Sequence, residues 1–182
     1  INAYDSNNDG REDIVLSYTN DNGNKLAVYT QSANEKFTET STVQLSSKGT
    51  GLDIGNANRD GRSDVVVSVE GNQAGVILGG ENGLNTKIKY YPVAGNPSDI
   101  KLANLNEDNY LDIVTLNSDS NNISILRGSK EGFNPSIEFD VDGSSQISKV
   151  SIKGKDSLVI GTNKGLTEFI QTAENDSSNS SL

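Results

Sequence analysis

Short blocks of apolar residues alternate with polar segments along the chain. The main blocks read DIVLS (13–17), DVVVS (64–68), DIVTL (112–116) and SLVIG (157–161). They are rich in β-branched residues, and Gly, Asn, Asp and Ser separate them from the segments that follow, a pattern typical of strands joined by turns. No segment keeps a 3.6-residue period, so the pattern predicts an all-β chain.

The same pattern recurs about every 50 residues. The first three blocks are each preceded by an acidic loop: DSNNDGRED (5–13), NANRDGRSD (56–64) and NLNEDNYLD (104–112). The fourth block follows SIKGKD (151–156), which has lost the acidic pattern. A second landmark, ILGGENGLN (77–85), returns as ILRGSKEGFN (125–134). The chain therefore holds four copies of one repeat.

Each full copy predicts four short antiparallel strands, and such a unit is typical of a β-propeller blade. We expect a propeller segment over residues 1–172, with blades at about 1–46, 47–95, 96–144 and 145–172. The fourth copy offers only three strand-like runs, so its blade is expected to be incomplete. Residues 173–182 are polar and rich in Ser and Asn, which predicts a flexible tail.

Composition narrows the possible functions. The 182 residues carry a formal net charge of −10, which disfavours nucleic acid as a partner because phosphate binding needs clustered Lys and Arg. Cys, Met, His and Trp are absent, which excludes disulfides, thiolate or imidazole metal sites and His-dependent catalytic triads. No run approaches the roughly 18 apolar residues of a membrane-spanning helix. The missing initiator Met is expected if the chain is a processed piece of a longer product.

The acidic loops supply oxygen ligands at alternate positions, as hard cations such as Ca²⁺ require. Side chains at positions 1, 3, 5 and 9 and the backbone carbonyl at position 7 are the expected ligands, and position 6 must turn sharply. Gly10, Gly61 and Asn109 occupy position 6. The predicted ligands at about three calcium sites are Asp5, Asn7, Asp9, Arg11 and Asp13; Asn56, Asn58, Asp60, Arg62 and Asp64; and Asn104, Asn106, Asp108, Tyr110 and Asp112.

Two other structures could explain these loops: an EF-hand and a metal-free acidic turn. An EF-hand needs a bidentate Glu at position 12, where the three loops place Leu16, Val67 and Thr115 inside a strand. Acidic Asx-type turns without a metal are the plainer alternative, but three loops at one phase of a repeat favour the metal. Loop 1 carries a side-chain charge of −3 at the ligand positions and the others −2, so loop 1 is expected to bind tightest. Ser6, at position 2, is expected to be a neutral position.

The three loops, each followed by a DIV-like strand, resemble FG-GAP/VCBS repeats, the blades of integrin α-like β-propellers. The resemblance covers about residues 1–172. It implies structural calcium in the loop between the first and second strands of a blade, and a secreted or cell-surface protein. It also implies roles in adhesion, glycan binding or as an accessory domain of an enzyme. The fourth copy departs from the pattern, so Ser151, Lys153 and Asp156 inherit no ligand role.

Rings of this family usually hold seven or eight blades, and four copies leave three arrangements open. The remaining blades belong to the same precursor, a second chain completes the ring, or the four copies close on themselves. The first arrangement is favoured.

Three function classes follow. The leading one is a non-enzymatic extracellular module that binds a protein or glycan ligand or helps to build a surface assembly. A glycan-binding lectin is the second, with Tyr90, Tyr91, Tyr110 and Phe133 as candidates, although packing between blades explains these aromatics better. An enzyme is the third and least favoured. Most of the clustered carboxylates belong to the predicted metal loops, and no His is present to activate a Ser or Thr hydroxyl.

Overall fold

The computed structural model describes residues 1–7, 9–81, 83–141, 143–152, 155–169 and 179–181. These residues form strands and turns without a helix, as the pattern predicted. The first sheet contains β1 (Asn2–Tyr4), β2 (Asp13–Asn20), β3 (Gly23–Gln31) and β4 (Phe37–Gln44). The second contains β5 (Gly49–Gly55), β6 (Asp64–Val69), β7 (Gln73–Gly80) and β8 (Gly83–Pro92).

The second half of the chain repeats this arrangement. The third sheet contains β9 (Pro97–Ala103), β10 (Asp112–Asn117), β11 (Asn122–Leu126) and β14 (Ile137–Asp140). A separate two-stranded ribbon, β12 (Gly128–Ser129) with β13 (Gly132–Phe133), precedes β14. The fourth sheet contains β15 (Ser144–Ile152), β16 (Lys155–Thr162), β17 (Gly165–Phe169) and β18 (Asn179–Ser181).

All four sheets have the same antiparallel order, and within each sheet every strand pairs with the next strand of that sheet; in the third sheet the ribbon intervenes between β11 and β14. Two to four residues join the second and third strands of each sheet, and so short a connection can only join neighbouring antiparallel strands. In the first three sheets the second strand begins at the last residue of an acidic loop: Asp13, Asp64 and Asp112. The loops therefore lie between the first and second strands of their sheets.

The second strands of the two middle sheets are covered on both faces. All residues of β6 and β10 are buried. In β6, Val65 and Val67 pack towards the first sheet, and Val66 packs towards the third. Such coverage explains why these strands read as continuous apolar runs rather than as an alternating pattern.

Three hydrophobic cores hold the sheets together, one at each junction between consecutive sheets. Val15 and Leu26 meet Val67 at the first junction. At the second, Val66 of the second sheet meets Ile100 of the third. The third junction includes Leu116 and Ile160. Each fully buried aliphatic side chain contributes about 1.5–3 kcal/mol through removal from water, so the junctions supply much of the driving force for folding.

Among the described residues, the sheets do not close into a ring, and the architecture is a partial propeller. The innermost strands of successive sheets lie side by side, β5 against β9 and β9 against β15. In the same residues no helix is long and apolar enough to cross a bilayer.

The fourth sheet differs from the expectation of three strands. Residues 179–181 form β18, which pairs antiparallel with β17. This short strand lies within the segment expected to be a flexible tail; residues 170–178 and 182 lie outside the described residues. The segment has no alternation of apolar and polar residues, so the period-2 signal that marks a half-buried strand is missing there.

Candidate metal-binding loops

The sharp turn predicted at position 6 of each loop is confirmed by the backbone. Gly10, Gly61 and Asn109 have φ angles of 82°, 86° and 67°. This left-handed region favours Gly and tolerates Asn best among the other residues. Position 4 is also left-handed in loops 2 and 3, with φ of 62° at Arg59 and 61° at Glu107. The sequence offered no signal for this, because neither Arg nor Glu favours that conformation.

Side-chain oxygens at positions 3 and 5 fold inward in the same way in all three loops. The amide oxygen at position 3 accepts a hydrogen bond from the N–H of position 5: Asn7 from Asp9 at 3.0 Å, Asn58 from Asp60 at 3.0 Å and Asn106 from Asp108 at 3.3 Å. Oδ1 of position 5 in turn accepts from the N–H of position 7, at 3.0, 2.8 and 2.8 Å in loops 1, 2 and 3. The repeated bonds hold the two oxygens on the inner side of each turn.

Position 1 differs between the loops. The Asp5 carboxylate accepts bonds from the N–H groups of Asp9 (3.1 Å) and Gly10 (2.8 Å). Asn56 is exposed. The Oδ1 atom of Asn104 is buried and has no hydrogen-bond partner among the described residues. A buried acceptor without a donor is unfavourable, and a bound cation would satisfy it.

The aspartates at position 9 have a role that sequence reasoning missed. Asp13, Asp64 and Asp112 are fully buried, and each joins its loop to the third strand or to the ribbon that follows it. One carboxylate oxygen accepts the N–H of position 2, at 3.1 Å from Ser6, 2.8 Å from Ala57 and 3.1 Å from Leu105. The other accepts the N–H of Gln31, Gly79 or Gly128, in each case at 2.8 Å.

Ser6 is therefore not the neutral position that we expected. Its backbone N–H and its hydroxyl group both donate to Oδ2 of Asp13. Asp21 is a better neutral control for loop 1, because it is exposed in the β2–β3 turn and belongs to no acidic loop.

The position-9 contacts also explain the second sequence landmark. A Cβ atom on Gly79 would lie 2.5 Å from the carbonyl oxygen of Ser63, and one on Gly128 would lie 2.2 Å from that of Leu111. Both distances are too short for any side chain. The glycines of ILGG and ILRG are thus needed where this backbone passes the end of the acidic loop.

Burial affects the ionisation of two position-9 carboxylates, those of Asp64 and Asp112. It raises the pKa of Asp64 despite the three backbone N–H bonds that favour its charged form. It also raises the pKa of Asp112, to about 6, with a smaller contribution from the charge of Asp108. These carboxylates are therefore easier to protonate than exposed ones.

In loops 1 and 2 the side chain at position 7 lies beside the carboxylate at position 5. The Arg11 guanidinium contacts the Asp9 carboxylate, and Arg62 Nη1 lies 3.6 Å from Asp60 Oδ2. Burial opposes ionisation of Asp60, but the hydrogen bonds and the charge supplied by Arg62 and Asn58 outweigh it, so the pKa of Asp60 is lowered. Metal binding by the position-7 carbonyl groups, including that of Tyr110, stays a prediction.

Loop 3 contacts both neighbouring sheets. The guanidinium of Arg59, in loop 2, lies 5.2 Å from the centre of the Tyr110 ring. The N–H of Asn104 donates to Asp156 of the fourth sheet at 2.9 Å. The fourth copy has thus kept an aspartate that supports the preceding loop, although we assigned it no ligand role. The hydroxyl of Ser151 also contacts Asp156, and Lys153 lies outside the described residues.

The aromatic candidates for glycan binding lie at the junctions between sheets. Tyr90 packs against the first core, and its hydroxyl accepts the N–H of Ser46 at 2.8 Å. Tyr91 and Phe133 pack edge to face, with ring centres 5.5 Å apart, beside the second core. Tyr110 lies under Arg59. The structure brings Tyr91 and Phe133 together but separates them from the other two.

The loops fit a hard cation through the nature and order of their donors. All candidate ligand atoms are oxygens, and positions 3 and 5 already face the inside of the turn. Within the part of the chain that the structure describes, no group of three or more acidic, His or Cys side chains converges on one point. Loops 2 and 3 place Asn at both position 1 and position 3, so each has only two carboxylates among its candidate ligands.

Comparison with known proteins supports the repeat and the fold. Residues 5–67, which include loops 1 and 2, match the FG-GAP-like repeat family. Among solved structures, "BBS1N in complex with ARL6DN, soaked with lead" matches with a TM-score of 0.55 and 16% identity. The match covers 92% of this chain and 52% of that one, so this chain spans about half the length of the solved structure. At this identity the likeness shows the fold alone, and BBS1N is a β-propeller.

No curated protein sequence matches the chain. The repeat match includes two of the three acidic loops, and the structural match extends the propeller architecture over nearly all of the chain. Residues 5–67 therefore carry FG-GAP-like repeat sequence, and the chain is built as part of a β-propeller.

Proposed function

We propose that this protein is a calcium-stabilised propeller module that works outside the cell or at its surface in adhesion, ligand binding or surface assembly. Calcium has a structural role in this proposal. Each ion connects the first and last residues of an acidic loop. The last residue, at position 9, is already hydrogen-bonded to the third strand or to the ribbon, so the ion stiffens one edge of the sheet.

The proposed ligands are the side chains at positions 1, 3, 5 and 9 and the carbonyl at position 7. The observation that carries the proposal is the repetition of one inward-folded arrangement in three loops, together with the unsatisfied Oδ1 atom of Asn104. Asx turns alone explain the repeated bonds, but they leave that buried oxygen without a partner. A cation bound in loop 3 would be a partner for this oxygen.

The proposal is also that the module is not an enzyme. The sequence has no His or Cys to act as general base or nucleophile. Backbone N–H groups occupy the buried carboxylates at position 9, which leaves them poorly placed for proton transfer to a substrate. Hydrolase assays on generic ester, phosphate and glycoside substrates should show no turnover above buffer, and activity in any of them that survives purification would refute this part.

Further blades are the proposed partners of the two end sheets. Because Val15 faces the second sheet, the alternating residues Ile14 and Leu16 of β2 face away from it, and both are only half-buried. On the opposite end, Val150 and Leu166 lie on the outer face of the fourth sheet and are 38% and 66% exposed. Blades of the same precursor, or of a second chain, would cover these apolar faces.

The native mass distinguishes these arrangements. A particle of 19.4 kDa in calcium would mean that the chain needs no second copy, whereas a larger species that dissociates on chelation would show that calcium supports an assembly between chains.

Thermal unfolding in calcium tests the metal. A ligand that binds only the folded state stabilises by about 2.7 kcal/mol per site at a hundredfold excess over its Kd. We expect a rise in Tm with millimolar CaCl₂ and none with MgCl₂ at the same concentration, because Mg²⁺ demands a tighter octahedral site. Asp9→Ala should lose part of the calcium-dependent rise, and Asp21→Ala should keep all of it. Equal rises in these two variants would refute calcium binding at loop 1.

A further inference from the structure

A groove lies at the junction of the second and third sheets, beside acidic loop 2, which contributes Ala57 and Asn58 to its lining. Its deeper part is a cavity of about 300 Å³ between β7 and β8 on one side and the β12–β13 ribbon on the other. A second, shallower depression of about 580 Å³ continues from it along β8. Val76, Leu78 and Lys89 line both parts, so the two depressions form one groove.

The floor of the groove is apolar. Val76 is 5% exposed at the bottom, and Phe133 of the ribbon forms the far wall, where it packs edge to face on Tyr91 of β8. Leu78 is 39% exposed, and it lies where the register between β7 and β8 shifts, between Ile77 and Gly79. Such a bulge turns a side chain out of the regular pleat. Here it leaves a large aliphatic side chain at the mouth of a cavity, where water contact is unfavourable.

The rim of the groove is positively charged in a protein of net charge −10. Three lysines line it, Lys87, Lys89 and Lys130; the described lining contains one acidic side chain, that of Glu131. In the described residues none of the three lysines forms an ion pair; the ammonium group of Lys89 lies over the Tyr91 ring at 4.7 Å. Three unpaired cations around an apolar floor are the complement of a ligand that carries negative charge beside an apolar group.

We propose that this groove binds an acidic peptide segment of a partner protein through one aliphatic or aromatic side chain. The side chain enters the cavity between Val76, Leu78 and Phe133, and flanking Asp or Glu residues pair with the lysines. A cavity of about 300 Å³ is at the lower end of the range for ligand pockets, which suits one large side chain and no more.

An acidic polysaccharide shares the negative charge, but the lining fits it less well. Sugar rings stack on open aromatic faces, and Lys89 covers one face of Tyr91. Sugar hydroxyls also need planar polar side chains, and among the described residues Asn58 is the only amide side chain that lines the deeper cavity. The aliphatic floor favours a peptide.

Both walls of the groove are fixed to acidic loops. The ribbon begins at Gly128, whose N–H bonds to Asp112, and Gly79 of β7 donates its N–H to Asp64. The lining is therefore held in place before a ligand arrives, which lowers the entropic penalty of binding. This inference gives the proposed binding module a class of partner, yet the site itself requires no bound metal and can be tested separately.

The test uses the whole chain labelled at its Leu and Val methyl groups, in 50 mM NaCl with calcium present. The probe is an acetylated octapeptide of sequence Asp-Glu-Asp-Leu-Phe-Glu-Asp-Glu. NMR records the methyl signals of the protein as the peptide is added. We expect saturable shifts of the Leu78 and Val76 methyl signals. The same peptide with Ser-Ser in place of Leu-Phe should not saturate, because it lacks the apolar group.

Two variants and a matched control locate the binding. Leu78→Ser and the double variant Lys87→Glu/Lys130→Glu should each weaken binding about tenfold or more, through loss of the apolar contact and of charge complementarity. The double variant Lys36→Glu/Lys149→Glu makes the same change of charge at exposed lysines elsewhere and should bind within about twofold of the unchanged protein.

Several results would overturn the inference. Absence of saturable shifts, equal binding of the Ser-Ser peptide, or an equal loss in the Lys36/Lys149 variant would each refute it. Tighter binding of oligogalacturonate than of the peptide would assign the groove to acidic glycans instead. If the peptide does not bind while calcium still raises Tm, the groove proposal fails and the calcium proposal stands.

Discussion

The buried carboxylate of Asp64 provides the sharpest test of the loop architecture, because it separates a structural contact from a metal ligand. Asp64 accepts N–H bonds from Ala57 (2.8 Å), Asn58 (3.2 Å) and Gly79 (2.8 Å). These bonds do not involve a metal. Asp64→Ala should therefore destabilise the protein even when calcium has been removed.

The loss in free energy of unfolding depends on whether water can replace Asp64 as the acceptor for each of the three N–H donors. Asn58 is exposed, so water can reach its N–H after the substitution, whereas Ala57 is only 4% exposed and Gly79 is partly buried. A buried donor left without a partner costs about 1–3 kcal/mol. Two such donors give a loss of about 2–6 kcal/mol, with a central value of about 4. For a chain of this size that corresponds to a fall in Tm of roughly 8–16 °C.

The assay is urea unfolding in EDTA, with the free energy of unfolding compared at constant m-value. Asp60→Ala is the contrast, because Asp60 is exposed: water can replace it as the acceptor for the N–H of Arg62, and its surface ion pair with Arg62 is worth about 0–1 kcal/mol. Asp21→Ala should lie within about 0.5 kcal/mol of the unchanged protein. A loss below about 1 kcal/mol for Asp64→Ala in EDTA, or one equal to that of Asp60→Ala, would refute the structural role.

Two further predictions concern loop 3. Gly128→Ala should destabilise by about 1–3 kcal/mol because its Cβ would lie 2.2 Å from the carbonyl oxygen of Leu111; Gly95→Ala, whose Cβ would have ordinary contacts at 3.4 Å, is the control in the same unfolding assay, and equal losses would contradict the steric explanation. In metal-free protein, the side-chain carboxyl carbon of Asp112 should titrate by NMR with a midpoint near its pKa of about 6 rather than 3.8, because burial raises the pKa. Since the folded pKa exceeds the unfolded one, the stability from this group is complete below pH about 4 and is lost as the pH rises through 6. Calcium should lower the midpoint, and an unshifted midpoint near 4 in EDTA would contradict the burial argument.

Much of the fold could be predicted because its signals are local. The turn at position 6 needs a residue that tolerates positive φ. Gly10, Gly61 and Asn109 are such residues, and they can be recognised from the sequence without knowledge of any contact. The blocks after the loops are β-branched and apolar on successive residues, which indicates strands covered on both faces. These properties depend on a few neighbouring residues.

The parts that could not be predicted depend on residues that are distant in sequence. The N–H groups that bind the position-9 carboxylates are 15 to 18 residues further along, and Asp156 bonds to a loop 52 residues before it. Such pairs are set by strand register and by the packing of one sheet on the next. The role of Ser6 was misjudged for this reason, since its partner is defined by how the loop closes on Asp13. The β18 strand was missed because its residues carry no apolar pattern.

The sequence by itself determined the repeat, the all-β class, the position of the acidic loops and the oxygen donors they present. Tertiary structure decided which of these oxygens accept hydrogen bonds from the backbone and which, like Asn104 Oδ1, have no hydrogen-bond partner among the described residues. It also decided that Leu78, Phe133 and three lysines from two sheets meet at one groove. The physical reason is that composition and periodicity specify what each segment can form, whereas contacts between segments exist only once the sheets have packed and closed off water.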